Sequence, residues 1–274
     1  MHPKKRLLAN YLKMICPAFI LAIMFAGVCH AKDLTPREKV AAGFFETKTY
    51  IFKHQRLPYR LLKPALFKKN IEYPLILFLH GSAERGGDNI KQLCYIAVPF
   101  SDYIIKKNHP CFMVVPQCPA GDNWVARENY FGGIRRSSRP TKPLQLSYDL
   151  LLSLEKKYPI DHRRIYVIGV SSGGSGTWDI ITRHPNFFAA AAPFSGCGDP
   201  RQASLIARIP LWVFHGHLDL MVNPNTSQVM VKAVRAAGGD PRYTEYPKAA
   251  HNCWKEAFET PRFFNWLFRQ KQRV

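Results

Sequence analysis

Pro74-Leu75-Ile76-Leu77-Phe78-Leu79 is an unbroken apolar run bounded by turn formers. A strand with one face in water alternates apolar and polar residues. A run with no polar member needs cover on both faces, which is the condition of a strand inside a parallel sheet flanked by helices. Runs of the same kind recur at 111–115, 165–169, 188–193 and 211–215, with a more polar one at 242–246. Helical patterns occupy 90–107, 144–157, 175–184, 225–237 and 254–268. This alternation predicts an α/β domain with a mainly parallel sheet. Residues 47–53 and 59–62 read as two further strands around a turn near Leu57-Pro58. With 47% of its 274 residues apolar, the chain can build a sizeable core. No repeat or low-complexity linker divides it, so 32–274 is read as one domain.

Residues 1–31 stand apart. Lys4, Lys5, Arg6 and Lys13 precede the apolar run 14–28, and Cys29-His30-Ala31 ends it on a small residue. This is the three-part layout of a secretory signal peptide, with cleavage expected after Ala31. The run is shorter than the roughly 20 residues a spanning helix needs. The mature chain is therefore expected to be secreted or periplasmic, without a stable membrane span. Export permits disulfides, yet Cys94, Cys111, Cys118, Cys197 and Cys253 are odd in number and contain no C-x-x-C pair. At most two bridges can form among them.

The balance of 39 basic against 19 acidic residues gives a net charge of +20. Such a charge suits nucleic acid or an anionic surface. The cations, however, are scattered in pairs such as Lys68-Lys69, Lys106-Lys107 and Lys156-Lys157, and no nucleic-acid-binding motif organises them. Nucleic acid is not an expected partner. One basic cluster, Arg135, Arg136 and Arg139, lies in the long irregular segment 116–143, where it would favour an anionic substrate.

The chemistry concentrates in "YVIGVSSGGSGTW", where a buried strand runs into Gly169-Val170-Ser171-Ser172-Gly173 and then a helix. This is G-x-S-x-G. A nucleophilic serine needs an exposed hydroxyl on a sharp strand-to-helix turn, and small neighbours permit the close chain approach. Ser171 is the candidate nucleophile, and the backbone N–H of Ser172 a candidate oxyanion donor. Two partners follow in the order acid, then histidine. Asp219 comes shortly after the strand at 211–215, on the rim where Ser171 emerges, with Asp199 and Asp240 as rivals; a carboxylate there would orient an imidazole. His251 lies between the last strand and the C-terminal helix, placed to exchange protons with Ser171. A second oxyanion donor is expected after the first buried strand, at the N–H of Ser82 or alternatively Ala83. His215-Gly216-His217 offers only two metal-type ligands, and no third at a matching spacing completes a site. Neither a metal nor a cofactor is expected.

Taken together, His80-Gly81-Ser82-Ala83-Glu84-Arg85-Gly86, Pro116-Gln117-Cys118-Pro119, Ile160-Asp161-His162-Arg163-Arg164-Ile165-Tyr166, the G-x-S-x-G segment, Gly176-Thr177-Trp178-Asp179, Phe214-His215-Gly216 with Asp219, and His251 resemble the secreted α/β-hydrolase esterases related to polyhydroxybutyrate depolymerases, feruloyl esterases and predicted peptidases. The resemblance implies the α/β-hydrolase fold, with an eight-stranded sheet flanked by helices. It also implies hydrolysis of carboxylic esters, small or carbohydrate-linked, through an acyl-enzyme. Relatives often carry Met where this chain has Ser172, a change that leaves the backbone donor intact. Trp124 would line the acyl or sugar site, with packing as the alternative. The same triad cleaves amides, so a serine peptidase is the nearest rival; a noncatalytic binding protein on this scaffold is the other.

Overall fold

In the computed structural model, residues 35–102, 109–126, 129–130, 133–259 and 261–272 are described; the expected signal segment 1–31 lies outside them. The main sheet contains β1 (Phe45–Phe52), β2 (Gln55–Leu62), β3 (Tyr73–Leu79), β4 (Phe112–Pro116), β5 (Ile160–Val170), β6 (Ala190–Phe194), β7 (Trp212–Gly216) and β8 (Arg242–Tyr246). Their spatial order is β1-β2-β4-β3-β5-β6-β7-β8. β1 and β2 form an antiparallel hairpin, and β2 joins β4 antiparallel. Every later pairing is parallel. A separate two-stranded ribbon, Asn129–Tyr130 with Gly133–Ile134, interrupts the long segment after β4.

The unbroken apolar runs become the centre of the sheet. All residues of β3, β4 and β6 are buried. Alternation within β3 divides the core: Ile76 and Phe78 face one layer, Leu75, Leu77 and Leu79 the other. The first layer is aromatic, with Phe194 stacked on Phe214 and the rings of Phe100, Phe258, Phe263 and Phe264 meeting them and one another mainly edge to face, and lies under α1 (Pro36–Gly43), α2 (Ala97–Ser101) and the C-terminal helices. The second layer is covered by α3 (Lys142–Lys157), α4 (Ser172–Arg183), α5 (Ala203–Ile206) and α6 (Asn225–Ala236). In α3 the buried residues Leu144, Ser147, Leu150, Leu151 and Leu154 recur at helical spacing, while Lys156 and Lys157 complement the negative end of the dipole.

Two predicted helices differ in form. Between 90 and 102 there is only a 3-10 turn, Lys91–Leu93, followed by α2. Cys94 is extended at ψ 139° and Tyr95 has φ 69°, two conformations that no helix can accommodate in succession. The C-terminal helix is split into α7 (Trp254–Phe258) and α8 (Pro261–Phe268), because Pro261 has no N–H to continue the first and suits the opening of the second. Among the described residues, Cys111, Cys118, Cys197 and Cys253 are free thiols, and Cys94 is disulfide-bonded.

Candidate active site

β5 delivers Ser171 at its carboxyl end with φ 56° and ψ −119°, a conformation that costs a non-glycine residue about 1–3 kcal/mol. The turn is held by Ser171 N–H to Phe194 O at 2.9 Å and Ser175 N–H to Ser171 O at 3.1 Å. Its tightness explains the glycines on either side. A Cβ on Gly169 would lie 2.1 Å from Gly173 O, and one on Gly173 would lie 1.9 Å from Leu79 O. The chain therefore folds back on itself and against β3 at distances only glycine tolerates. The hydroxyl of Ser171 is thereby pushed above the sheet at the amino end of α4.

His251 and Asp219 meet it there. His251 Nε2 lies 2.8 Å from Ser171 Oγ, and His251 Nδ1 lies 2.7 Å from Asp219 Oδ2. A carboxylate only accepts, so Nδ1 carries the proton and Nε2 is left to accept from the serine hydroxyl. Of the rival acids, Asp199 caps a 3-10 turn and pairs with Arg201, and Asp240 is exposed.

Asp219 is tied on all sides. Its Oδ1 accepts from the N–H groups of Met221 and Val222, both at 2.9 Å. Its Oδ2 also meets His215 Nε2 at 3.2 Å. Burial alone would raise its pKa, but the hydrogen bonds from His215, His251 and Val222 N–H outweigh it and hold the carboxyl well below the usual range. His215, fully buried, faces two acceptors at Nε2, Asp219 and the carbonyl of Val222 at 2.9 Å; Ser227 Oγ at 2.7 Å supplies the hydrogen for Nδ1. The histidine loop is fixed in turn by Ser195, whose hydroxyl donates to His251 O at 2.9 Å. Leu218 N–H to Ala249 O stitches the acid loop to it. His215 and Ser195 are supports that the sequence pattern does not reveal as such; His215-Gly216-His217 reads there as an incomplete metal-ligand pair at the strand end leading to Asp219.

On the other side stands the loop after β3. A Cβ on Gly81 would sit 3.6 Å from Ser171 Cβ, so this loop borders the serine directly. Ser82 opens a 3-10 turn, Ser82–Glu84, and Ser172 opens α4; both N–H groups belong to the first turn of a helix, where no preceding carbonyl serves them. The loop is locked by His80, whose Nε2 accepts from Cys118 N–H at 2.9 Å, so that Nδ1 is the protonated nitrogen and donates to Gly81 O at 2.6 Å. Burial lowers the pKa of His80 to about 4 and keeps this tautomer neutral. Gln117 donates to Glu84 O and accepts from Asn89 N–H, and Arg85 reaches Asp122 O and Asn123. Trp124 is 1% exposed; its indole N–H donates to His80 O at 2.8 Å, and its Cβ lies against Gly176. The structure thus gives Trp124 the packing role and places its ring beneath the loop instead of in an open cleft.

Glu84 is buried in the same loop, and burial raises its pKa to about 7. An unfolded glutamate titrates near about 4.3. Between those values the folded protein keeps a proton that the unfolded chain has released, so this group's contribution to stability falls as pH rises from about 4.5 to 7. Glu84→Gln removes that slope. Urea midpoints at pH 5 and 6.5 are expected to show the variant gaining about 2 kcal/mol on the wild type across the interval. Parallel pH dependence in the two proteins would refute it.

This geometry can be compared with known proteins. Over 85% of this chain the structure superposes on the crystal structure of a thermostable esterase, with TM-score 0.78 and 37% identity. This is the α/β-hydrolase fold. Residues 134–260, which include Ser171, Asp219 and His251, match the dienelactone hydrolase family. An α/β-hydrolase chain so arranged is also 29% identical over 125 residues to poly(3-hydroxyalkanoate) depolymerase C of Paucimonas lemoignei. It is 30% identical over 95 residues to a bifunctional acetylxylan esterase/xylanase of Neocallimastix patriciarum. These stretches cover 45% and 35% of this chain. The chain spans 28% of the depolymerase, 14% of the bifunctional enzyme and 64% of the thermostable esterase.

Proposed function

We propose that this α/β-hydrolase is a serine esterase that cleaves carboxylic esters through an acyl-enzyme, without a cofactor. The observation that carries the reading is the relay Ser171 Oγ, His251 Nε2, His251 Nδ1, Asp219 Oδ2, with successive contacts of 2.8 and 2.7 Å. His251 takes the serine proton as Oγ bonds to the ester carbonyl carbon. The N–H groups of Ser172 and Ser82 receive the developing oxyanion. Collapse breaks the bond to the alcohol, which leaves with the proton from His251. Water, deprotonated by the same imidazole, then releases the acid and frees Ser171. Asp219 keeps His251 in the working tautomer and stabilises it when charged. The esterase, depolymerase and acetylxylan esterase names of the relatives favour ester substrates, small or carbohydrate-linked.

Mass spectrometry after exposure to a fluorophosphonate probe tests the machinery without a choice of substrate. One adduct on the Ser171 peptide is expected, abolished by His251→Ala. A folded protein that takes no adduct would refute the reading and favour a binding protein. Parallel turnover of short esters, feruloylated or acetylated sugars and aminoacyl amides then tests the ester preference; equal amide turnover would make the chain a peptidase. The leader 1–31 is proposed to direct export, with Lys32 the expected first residue of the mature chain by N-terminal sequencing.

A further inference from the structure

The relay and the two N–H donors leave one buried group beside the nucleophile without a task, the carboxyl of Glu84. The residue is 4% exposed. A Cβ on Gly81 would sit 2.8 Å from Glu84 Oε2 and 3.6 Å from Ser171 Cβ, so a single glycine separates this carboxyl from the serine. The carboxyl accepts from the backbone N–H of Gly81 and from its own N–H. Those two bonds bracket Ser82, whose N–H is the second oxyanion donor.

The groups that face Glu84 do not neutralise it. On its own loop, His80 is neutral. Arg85 is committed to Ser82 O at 2.9 Å and to Asp122 O and Asn123 Oδ1, both at 3.0 Å. Asp88 is committed to the N–H groups of Ile90 and Lys91, to Gln117 and to the Lys91 ammonium. From the loop after β4, Gln117 donates to Glu84 O at 3.1 Å, and the Cys118 thiol is pushed up to about 12 by burial. From the turn above β5 comes Ser171, whose hydroxyl is engaged with His251. Among the described residues no charge acts on Glu84; burial and its two N–H partners set its state.

In the tetrahedral intermediate, negative charge gathers at the N–H groups of Ser172 and Ser82. A carboxylate in the same loop repels it. Two like unit charges within about 8 Å, at an effective dielectric of about 20, repel strongly enough to slow a step more than about tenfold. A neutral carboxyl keeps both bonds to the loop without that opposition.

We propose that Glu84 is a positioning residue of this esterase: its neutral carboxyl pins the oxyanion loop at Gly81, and its ionisation slows the reaction, giving the pH–rate profile a falling alkaline limb. This rests on Ser171 being the nucleophile. Burial raises the pKa of Glu84 to about 7, which places the limb just above neutrality. His251 works in the opposite sense, because it accepts the serine proton only when unprotonated. The rate should therefore rise as His251 loses its proton and fall as Glu84 loses its own.

The test follows kcat for phenyl acetate from pH 6 to pH 9, with circular dichroism at each pH to report the fold. The wild type is expected to lose about tenfold between pH 7 and pH 9 while it stays folded. Glu84→Gln is neutral throughout and can accept from the same N–H groups; it is expected to hold its rate over that interval. Glu84→Ala is neutral but cannot hold Gly81. It too is expected to lack the limb, at a rate severalfold below that of Glu84→Gln at every pH, and it serves if the amide variant fails to fold. A wild-type rate that does not fall, a fall that follows loss of the fold, or an equal fall in a folded neutral variant overturns the proposal. Equal rates in the two variants overturn the pinning of the loop. Fluorophosphonate labelling separates the two levels: a labelled Ser171 without the limb defeats the role of Glu84 alone, whereas no labelling defeats the esterase reading with it.

Discussion

Ser171→Ala is expected to lower ester turnover by up to about a millionfold, the scale seen when an activated serine is removed from such a relay. The loss should fall on kcat, because among the described residues no other group stands in its place: His251 Nε2 faces the serine hydroxyl, and Cys197 and Cys253 are thiols whose pKa burial pushes up. Stability should change little. Removing the hydroxyl leaves the backbone bonds to Phe194 O and from Ser175 N–H in place, although the residue keeps its positive φ. Single-turnover assays on a 4-nitrophenyl ester, with urea unfolding alongside, check both parts. A variant within a hundredfold of the wild type would mean that another nucleophile does the work.

The parallel sheet was legible because its strands are covered on both faces, and burial on two sides leaves no polar residues in a run such as 74–79. Edge strands carry less signal. β8 is only partly buried and reads as polar, and β5 extends back to Ile160, through Asp161-His162-Arg163-Arg164, where pairing with β3 is irregular near Tyr73. Neither feature shows in an apolar pattern. Of the helix expected over 90–107, residues 103–107 lie outside the described residues, and before them only α2 forms, for a different reason. Its apolar periodicity is real, but the backbone turns left-handed at Asn89 and Tyr95. Asn89 is held there by bonds from its side chain to Lys48 O and Tyr59 O and from its N–H to Gln117, partners distant in sequence. By contrast α1 was readable and missed: Thr35-Pro36-Arg37-Glu38 forms a capping box with Pro at the first helical position.

Within the site, legibility followed the chain order of the motif. Ser171, Asp219 and His251 stand after β5, β7 and β8 of the parallel part of the sheet, whose carboxyl ends share one rim, so their meeting follows from topology. What spacing could not reveal was the use of residues with two plausible environments. His215 lies in a buried strand and points at Asp219, a contact that depends on the turn Gly216-His217-Leu218 reversing within hydrogen-bond reach. Trp124 stands in a loop beside polar residues, where an exposed ring is a fair expectation. The acceptor that draws it inward is the carbonyl of His80, 44 positions away.

Asp219→Asn should cost about four orders of magnitude in kcat, more than the loss of one charge suggests, because the amide cannot satisfy its neighbours. Oδ1 accepts two backbone N–H groups, from Met221 and Val222. An asparagine keeps its oxygen there, since the reverse orientation would set NH2 against two donors. Its amide nitrogen is then placed where Oδ2 now receives His251 Nδ1–H and approaches His215 Nε2–H. Donor would face donor at both imidazoles. His251 relieves the conflict by moving its proton to Nε2, and in that tautomer it cannot accept from Ser171. His215 is less free to adjust, because its Nε2–H also serves Val222 O. The variant should therefore be both inactive and somewhat destabilised around the acid loop, while Asp240→Asn, at an exposed turn, should leave both properties unchanged. Comparison of kcat for the two variants, with hydrogen exchange of the amides of Met221 and Val222, distinguishes a tautomer effect from general unfolding. A loss of less than tenfold in Asp219→Asn would mean that another group orients His251.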